Sequence, residues 1–510
     1  MDSEMALREM ADEVLQGKIK TAEDLQRRKI EFSKKHRLKR IPKNSEILSI
    51  LKQKGVPSLL LKKPVRTLSG VTVVSVMSRP HPCPHGRCTF CPGGGDVPQS
   101  YTGFEPASRR GIQHDFDAFS QIVARLSQLE SIGHPQDKCE LIIMGGTFLS
   151  QKEGYQRDFV KRCFDALNER ESNSLRRAQS LNERARHRCV GLTFETRPDW
   201  CRENHISKVL SFGGTRVELG VQTIYNEVYE EVKRGHLVED VIKATELLKD
   251  SGLKVCYHMM PGLPGSDFER DFKAFKTIFS QEKFKPDMIK FYPCLVLKGT
   301  ELYENWKRGE FEPLTTEKAL ELLIKVKKLM PKWVRTMRIT RDIPSTLIEA
   351  GVKKTNLGQM LYLEMKRRKI SCKCIRCREV GHVKFKKNPN PEDVKLLRKT
   401  YKASGGEEIF LSFEDLKNNM MIGFLRLRIP KNPFRYEIGE NTALVRELHI
   451  YGYSLPIGRE PTKEWQHRGY GGKLLREAER ISREDYDSRE ILVLSGIGAR
   501  EYYRRFSYKL

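Results

Sequence analysis

"RPHPCPHGRCTFCPGGG", residues 79–95, sets Cys83, Cys88 and Cys91 within nine positions among proline, glycine and histidine. Three thiols spaced C-x4-C-x2-C can hold a metal ion or an iron–sulfur cluster. Disulfides between such close neighbours would be strained. A structural zinc needs a fourth ligand, from His81, His85 or a distant residue. A cluster held by three cysteines leaves one iron open to a substrate, so the surrounding chain has to decide between the two.

The stretch follows "GVTVVSVMSR", a run rich in β-branched residues that reads as a buried strand. Further apolar runs alternate with helical stretches: "KCELIIMGGTF", "CVGLTFETRPD", "TRVELGVQT", "LKVCYHMMPGLPG" and "PDMIKFYPCLVLKGT". This rhythm over residues 70–345 predicts a parallel α/β barrel or partial barrel, whose ligands collect at the carboxyl ends of the strands. An open doubly wound sheet is the alternative, but no G-x-G-x-x-G turn accompanies it.

Across its 510 residues the chain carries 93 Lys and Arg against 66 Asp and Glu, a net charge of +27. Such an excess favours a polyanionic partner, nucleic acid first. Residues 18–66 hold 16 basic and 4 acidic side chains, so residues 1–69 are expected to form a basic, largely helical arm that grips phosphates. No run of 18 apolar residues and no secretory leader is visible, which predicts a cytoplasmic protein with no membrane partner. In that compartment the 12 cysteines stay reduced, and the six outside clusters read as small buried hydrophobes.

Residues 346–400 turn basic and irregular and carry a second trio, Cys372, Cys374 and Cys377, expected to bind structural zinc in a linker. The fourth ligand is unassigned, and His382 is a candidate by proximity. Residues 401–510 form a new α/β unit, in which the loop "QHRGYGG" (466–472) feeds a helix with Leu474, Leu475, Ala478 and Ile481 on one face. Glycines at a helix start leave N–H groups open to a pyrophosphate. With "VRELHIYG" before it and "SGIGAREYY" after it, this loop resembles that of a GNAT acetyltransferase. The resemblance implies acetyl-CoA on Gly469, Tyr470, Gly471 and Gly472, its pantetheine arm along Glu447, Leu448, His449 and Ile450, and Tyr502 and Tyr503 near the thioester. Core packing is the plainer reading of the two tyrosines.

The cysteine loop in turn resembles that of radical S-adenosylmethionine (SAM) enzymes, with Phe90 before the last cysteine and a first gap one residue longer than usual. In such enzymes the glycine turn holding the SAM amino group falls where Gly145 and Gly146 stand. Ribose and carboxylate contacts fall near Glu195, Arg197, Glu218 and Gln222, and "HMMPGLPG" supplies a turn against adenine.

A radical SAM partial (β/α) barrel joined to a GNAT domain, with "CPHGRCTFCPGG", "QSYTGFEP", "ETRPDWC", "RELHIYG" and "QHRGYG", resembles the Elongator complex catalytic subunit family, in a form like the stand-alone archaeal proteins. That resemblance implies a tRNA wobble-uridine modifying enzyme with a [4Fe–4S] cluster, SAM, acetyl-CoA and zinc. It also implies that Lys138 touches acetyl-CoA and that Tyr502 and Tyr503 act in the acetyltransferase domain. A SAM-derived 5′-deoxyadenosyl radical would activate the acetyl methyl group for addition to carbon 5 of uridine, and thioester hydrolysis would leave carboxymethyluridine. The family's last strand is expected to be incomplete at "FSYKL". Two rivals stand beside this reading: a protein lysine acetyltransferase with a structural cluster, and a tRNA-binding scaffold. tRNA is the expected partner, and a homodimer or accessory subunits are left open.

Overall fold

Strands buried on both faces read as near-continuous apolar runs and pack as parallel sheets beneath helices. In the computed structural model, which describes residues 2–51, 58–61, 67, 70–383, 390–452 and 468–510, the runs become β1 (Val71–Met77), β2 (Lys138–Met144), β3 (Arg188–Thr196), β4 (Arg216–Gln222), β5 (Lys254–Met259) and β6 (Met288–Phe291). After the short β7 (Leu295–Leu297) comes β8 (Arg335–Ile339). Strands β1 to β6 and β8 lie in chain order in one sheet, each parallel to its neighbour. Among the described residues β1 and β8 do not pair, so the barrel is partial.

Alternation along the strands separates two environments. Val74, Leu141, Leu192, Phe194, Val217, Leu219 and Val255 are buried in the apolar layer beneath the helices. The intervening positions meet as ion pairs instead: Glu140 with Arg216, Arg216 with Glu218, and Lys290 with both Glu218 and Glu195. The barrel lumen is therefore a charged layer.

A second sheet contains β10 (Val394–Ala403), β11 (Gly406–Asp415), β12 (Met420–Ile429), β13 (Thr442–Ile450) and β14 (Glu490–Val493), in that order. It is antiparallel up to β13, which runs parallel to β14. Pairing of β13 with β14 covers only residues 442–445, after which Leu494 N–H closes onto the Val445 carbonyl at 3.0 Å. The remaining half of β13, residues 446–450, pairs with β12 and lies beyond the stretch that pairs with β14. Opposite β12 the register slips at Arg446, an extra residue that makes a bulge.

The expected linker is more tightly held than its composition suggests. Its strand β9 (Ile348–Gly351) pairs with β7, and Leu357, Leu361, Met365, Cys372 and Cys374 join the barrel core. Its last residues belong to β10, so the second sheet starts at Val394. At the amino terminus three helices, Asp2–Leu15, Ala22–Lys35 and Asn44–Ile50, close around Met10, Ala11, Leu25, Phe32 and Ile47. Thr21 caps the second by accepting from Asp24 N–H at 3.0 Å. This is a small folded unit with Lys34, Arg37 and Lys39 exposed on it. No helix among the described residues is long and apolar enough to cross a membrane.

The second sheet seals the amino-terminal end of the barrel with charge. Lys249, Asp250 and Asp287 of the barrel meet Glu408, Arg426, Arg428 and Arg446, all seven side chains fully buried, and Arg426 extends the network to Glu447. Four acids face four bases, so the cluster is neutral as a whole.

Candidate active site

The site residues named from sequence fall at the two ends of the barrel. At the carboxyl end, the loop after β1 buries Cys88 and Cys91 and leaves Cys83 partly open. Gly145 closes β2 at φ 138°, and a Cβ there would lie 2.1 Å from the Ser78 hydroxyl. A Cβ on Gly146 would face Cys83 Sγ at 3.9 Å and Ser100 Oγ at 4.0 Å. Gly145 leaves no room for a side chain against Ser78, and Gly146 stands at φ 78°, where a side chain is strained.

Cys88 is the most engaged of the three thiols. Its sulfur lies 3.2 Å from His85 Nε2 and 3.6 Å from an Arg234 guanidinium nitrogen. Hydrogen bonding from Cys91, with help from Arg234 and His85, pulls Cys88 down to about 3, which leaves a thiolate ready to bind metal. The bond to Cys88, together with burial, pushes Cys91 up, and burial pushes Cys83 up. The three sulfurs do not all lie within 4.8 Å of one another, whereas those of Cys372, Cys374 and Cys377 do. A spread trio suits a multi-iron group, and a tight trio suits a single ion.

The next strand ends surround this loop. Glu195 of β3 accepts from the Tyr101 hydroxyl at 2.6 Å and lies 3.5 Å from Lys290 Nζ. Arg197, 3 % exposed, forks onto Asp199 at 2.9 and 3.0 Å and donates to the Arg234 carbonyl at 2.7 Å. Gln222 sits at φ 71°, and its buried Oε1 has no partner among the described residues, as is true of the Thr196 hydroxyl. Buried polar atoms left open at a strand end are where a polar ligand completes the hydrogen bonding. Below them Glu218 takes a 2.7 Å bond from His258 and pairs with Lys290 and with Arg216. Burial would raise its carboxyl, but Lys290, His258 and Arg216 hold it well below the ordinary range.

Arg234, Tyr101 and Lys290 were not singled out from sequence as site residues. Arg234 lay hidden in "EEVKRGH", which reads as a solvated charge run. Lys290 had a usable signal, since a charge inside the apolar strand "MIKF" must find a buried partner.

At the opposite end, Lys138 opens β2 in register with Val71 and Arg188, and burial lowers its ammonium. The loop through Gly496 and Gly498 presses against Val190 and Arg188, bringing the second domain to this end. Glu447, Leu448, His449 and Ile450 form the half-buried stretch of β13 beyond its pairing with β14. Glu447 accepts from Arg426 Nε at 2.8 Å, while burial and then Arg335 lower the His449 imidazole. Gly469, at φ 79°, starts the helix Tyr470–Tyr486, whose first turn holds Tyr470, Gly471 and Gly472. Tyr502 and Tyr503 meet edge to face at 5.3 Å beside that turn. Gln466 and His467, the first two residues of the loop, lie outside the described residues.

In the second trio Cys374 N–H donates to Cys372 Sγ at 3.4 Å. A fully buried lysine, Lys327, donates to Cys374 Sγ at 3.3 Å and to Thr336 Oγ1 at 3.1 Å. Burial would discharge this lysine, but the Cys374 thiolate keeps it raised, and bonds from Cys372 and Cys377 keep Cys374 low. The His382 side chain lies outside the described residues.

This architecture agrees with the comparisons to known proteins. The Radical SAM superfamily matches residues 79–275, its Radical_SAM C-terminal domain residues 286–367, and the ELP3 N-terminal domain residues 3–68. The chain is 59% identical over 479 residues to a tRNA uridine(34) acetyltransferase of Methanocaldococcus infernus, covering 92% of this chain and 90% of that one. Elongator complex protein 3 of Homo sapiens is 42% identical over 502 residues, 96% of this chain and 92% of the relative. The chain belongs to the Elongator protein 3 family. A solved member of that family, the archaeal Methanocaldococcus infernus Elp3 with an N-terminus deletion (1–46), superposes with a TM-score of 0.78 at 55% identity, covering 87% of this chain and 98% of that one.

Proposed function

We propose that this Elongator protein 3 relative is a transferase that carboxymethylates carbon 5 of the wobble uridine in tRNA, taking the two-carbon unit from acetyl-CoA. The observation that carries the reading is the placement of two unlike sites at the two ends of one barrel. The cysteine loop and open polar atoms lie at the carboxyl ends, and the second half of β13 with the nearby glycine helix start lies against the other end. The name of the M. infernus relative, tRNA uridine(34) acetyltransferase, supports the substrate.

A [4Fe–4S] cluster on Cys83, Cys88 and Cys91 with SAM supplies, when bound, a 5′-deoxyadenosyl radical. Gly145 and Gly146 give SAM close backbone approach, Gln222 and Glu195 offer acceptors, and Arg197 offers a cation. The glycine-started helix, with Tyr470 in its first turn, binds the pyrophosphate of acetyl-CoA. The stretch of β13 beyond its pairing with β14 takes the pantetheine amides, and Lys138, Tyr502 and Tyr503 flank the cofactor. Cys372, Cys374 and Cys377 hold zinc, whose three thiolates Lys327 balances. The basic helical unit takes the tRNA phosphates.

A lysine acetyltransferase would need a free carboxylate base, for which Glu447 is the candidate. Burial works to raise that carboxyl, but Arg426 and Lys254 overcome it and hold Glu447 low, so it is a poor base. The test is anaerobic incubation with SAM, acetyl-CoA and tRNA. Release of 5′-deoxyadenosine stimulated by tRNA, with carboxymethyluridine at the wobble position, is the expected result. No release from protein with an intact cluster overturns the reading. Cys88→Ala should abolish modification and leave tRNA binding in place, which a mere scaffold would not explain.

A further inference from the structure

Residues 99–105 run from the cysteine loop to an exposed aromatic tip. Gln99 Oε1 accepts from Cys83 N–H at 2.8 Å, the Tyr101 hydroxyl donates to Glu195 at 2.6 Å, and Arg341 holds the Ser100 carbonyl. Phe104 follows three residues later, within about 10 Å of Tyr101 at full chain extension. It is 58 % exposed.

A single exposed apolar side chain needs no explanation. Here, however, the turn that carries it is stiff. Glu105, 5 % exposed, accepts from Thr102 N–H with both carboxylate oxygens, at 2.9 and 3.1 Å. Phe104 N–H donates to Thr102 Oγ1 at 3.3 Å, and Gly103 adopts φ 89° between Val97 and Ile112. Burying a carboxylate costs free energy, and this one fixes the shape of a surface turn. Behind it the helix Pro106–Gln113 exposes Pro106, Arg109, Ile112 and Gln113 along one side.

We propose that residues 102–105 form a stacking platform for an unpaired nucleobase next to the target uridine, with Phe104 as the stacking ring and Arg109 at the adjoining phosphate. This rests on the tRNA reading above. One exposed ring on a fixed turn, with the exposed cation Arg109 on the helix that follows, matches a base and its phosphate. A target base drawn into the barrel mouth leaves its neighbour unstacked, and a ring carried on this fixed turn replaces the lost stacking.

The test uses the full chain with its cluster and an anticodon stem-loop RNA carrying 2-aminopurine on either side of the wobble uridine. Wild type is expected to quench one of the two labels. Phe104→Ala should abolish that quenching and lower kcat/KM for the stem-loop by roughly tenfold, with its melting temperature and cluster absorbance unchanged. Phe104→Tyr and Phe104→Trp should restore both signals, and Phe104→Leu should not. Quenching and turnover in Phe104→Ala equal to wild type overturn the platform, as does rescue by Leu. A wild-type protein with an intact cluster that neither binds nor modifies the stem-loop fails the tRNA reading itself, and the platform with it.

Discussion

Arg446 grips Asp287 with both terminal guanidinium nitrogens, at 2.6 and 2.9 Å, and neither side chain is reached by water. Arg446 is the bulge residue of β13, and Asp287 stands just before β6, so an irregularity in one domain fixes the floor of the other. Removing one partner of such a pair leaves a buried charge, at a cost of about 3–5 kcal/mol. Arg446→Met should therefore lower the melting temperature sharply, and adding Asp287→Asn should return part of the loss. A single variant that melts like wild type would show that the pair does not couple the domains.

Gly471 and Tyr502 compete for the same space. A Cβ on Gly471 would lie 2.2 Å from the Tyr502 hydroxyl, the far end of a side chain that is 37 % exposed. In Gly471→Ala the phenol swings outward at little cost to stability. Acetyl-CoA affinity, read by calorimetry, should fall about tenfold, equivalent to about 1.4 kcal/mol. Unchanged affinity would remove Tyr502 from the cofactor site.

Asp271 gives a pH signature. It accepts from Gly262 N–H and from the Ser266 hydroxyl, both at 2.7 Å, which pins the "PGLPG" turn, and burial pushes it up to about 6. Between its unfolded value, about 4, and 6, the folded chain holds a proton that the unfolded chain has lost. Stability from this group is therefore present at the acid end and falls as pH rises through the window, by about 3 kcal/mol in all. Asp271→Asn keeps an acceptor for Gly262 and cannot ionise. Its melting temperature minus that of wild type should grow from pH 4 to pH 6 and then level off. A constant offset across that range would contradict the assignment.

Metal analysis should find zinc bound at the second trio. Cys374→Ser should abolish it and destabilise the protein by several kcal/mol, because Lys327 would then be buried without its thiolate. Pairing Cys374→Ala with Lys327→Met should be milder than Cys374→Ser alone. Retention of zinc in Cys374→Ser, measured by a chromogenic chelator, would refute this ligand set.

The barrel was legible because short strands rich in β-branched and apolar residues alternate with helical stretches, and the glycine and polar residues at the strand ends, Gly145, Glu195 and Gln222, therefore stand out. The domain contact was not. Arg426 and Arg428 alternate with leucines in "FLRLRIP" and read as a solvent face, yet both are fully buried against the barrel. Arg446 acquires its role from a register slip between two strands, which no single-strand pattern reveals. The stretch read as linker looked irregular because Lys366, Arg367, Arg368 and Lys369 are exposed together, while Leu357, Leu361 and Met365 hold it to the barrel.

Divided between residues 383 and 390, the network would split unevenly. Lys249, Asp250 and Asp287 on one piece sum to a single negative charge, and Glu408, Glu447, Arg426, Arg428 and Arg446 on the other sum to a single positive one. Each half is the other's counter-ion. Neither could bury its own share alone, so severed halves should recognise each other by charge, and most strongly in dilute salt.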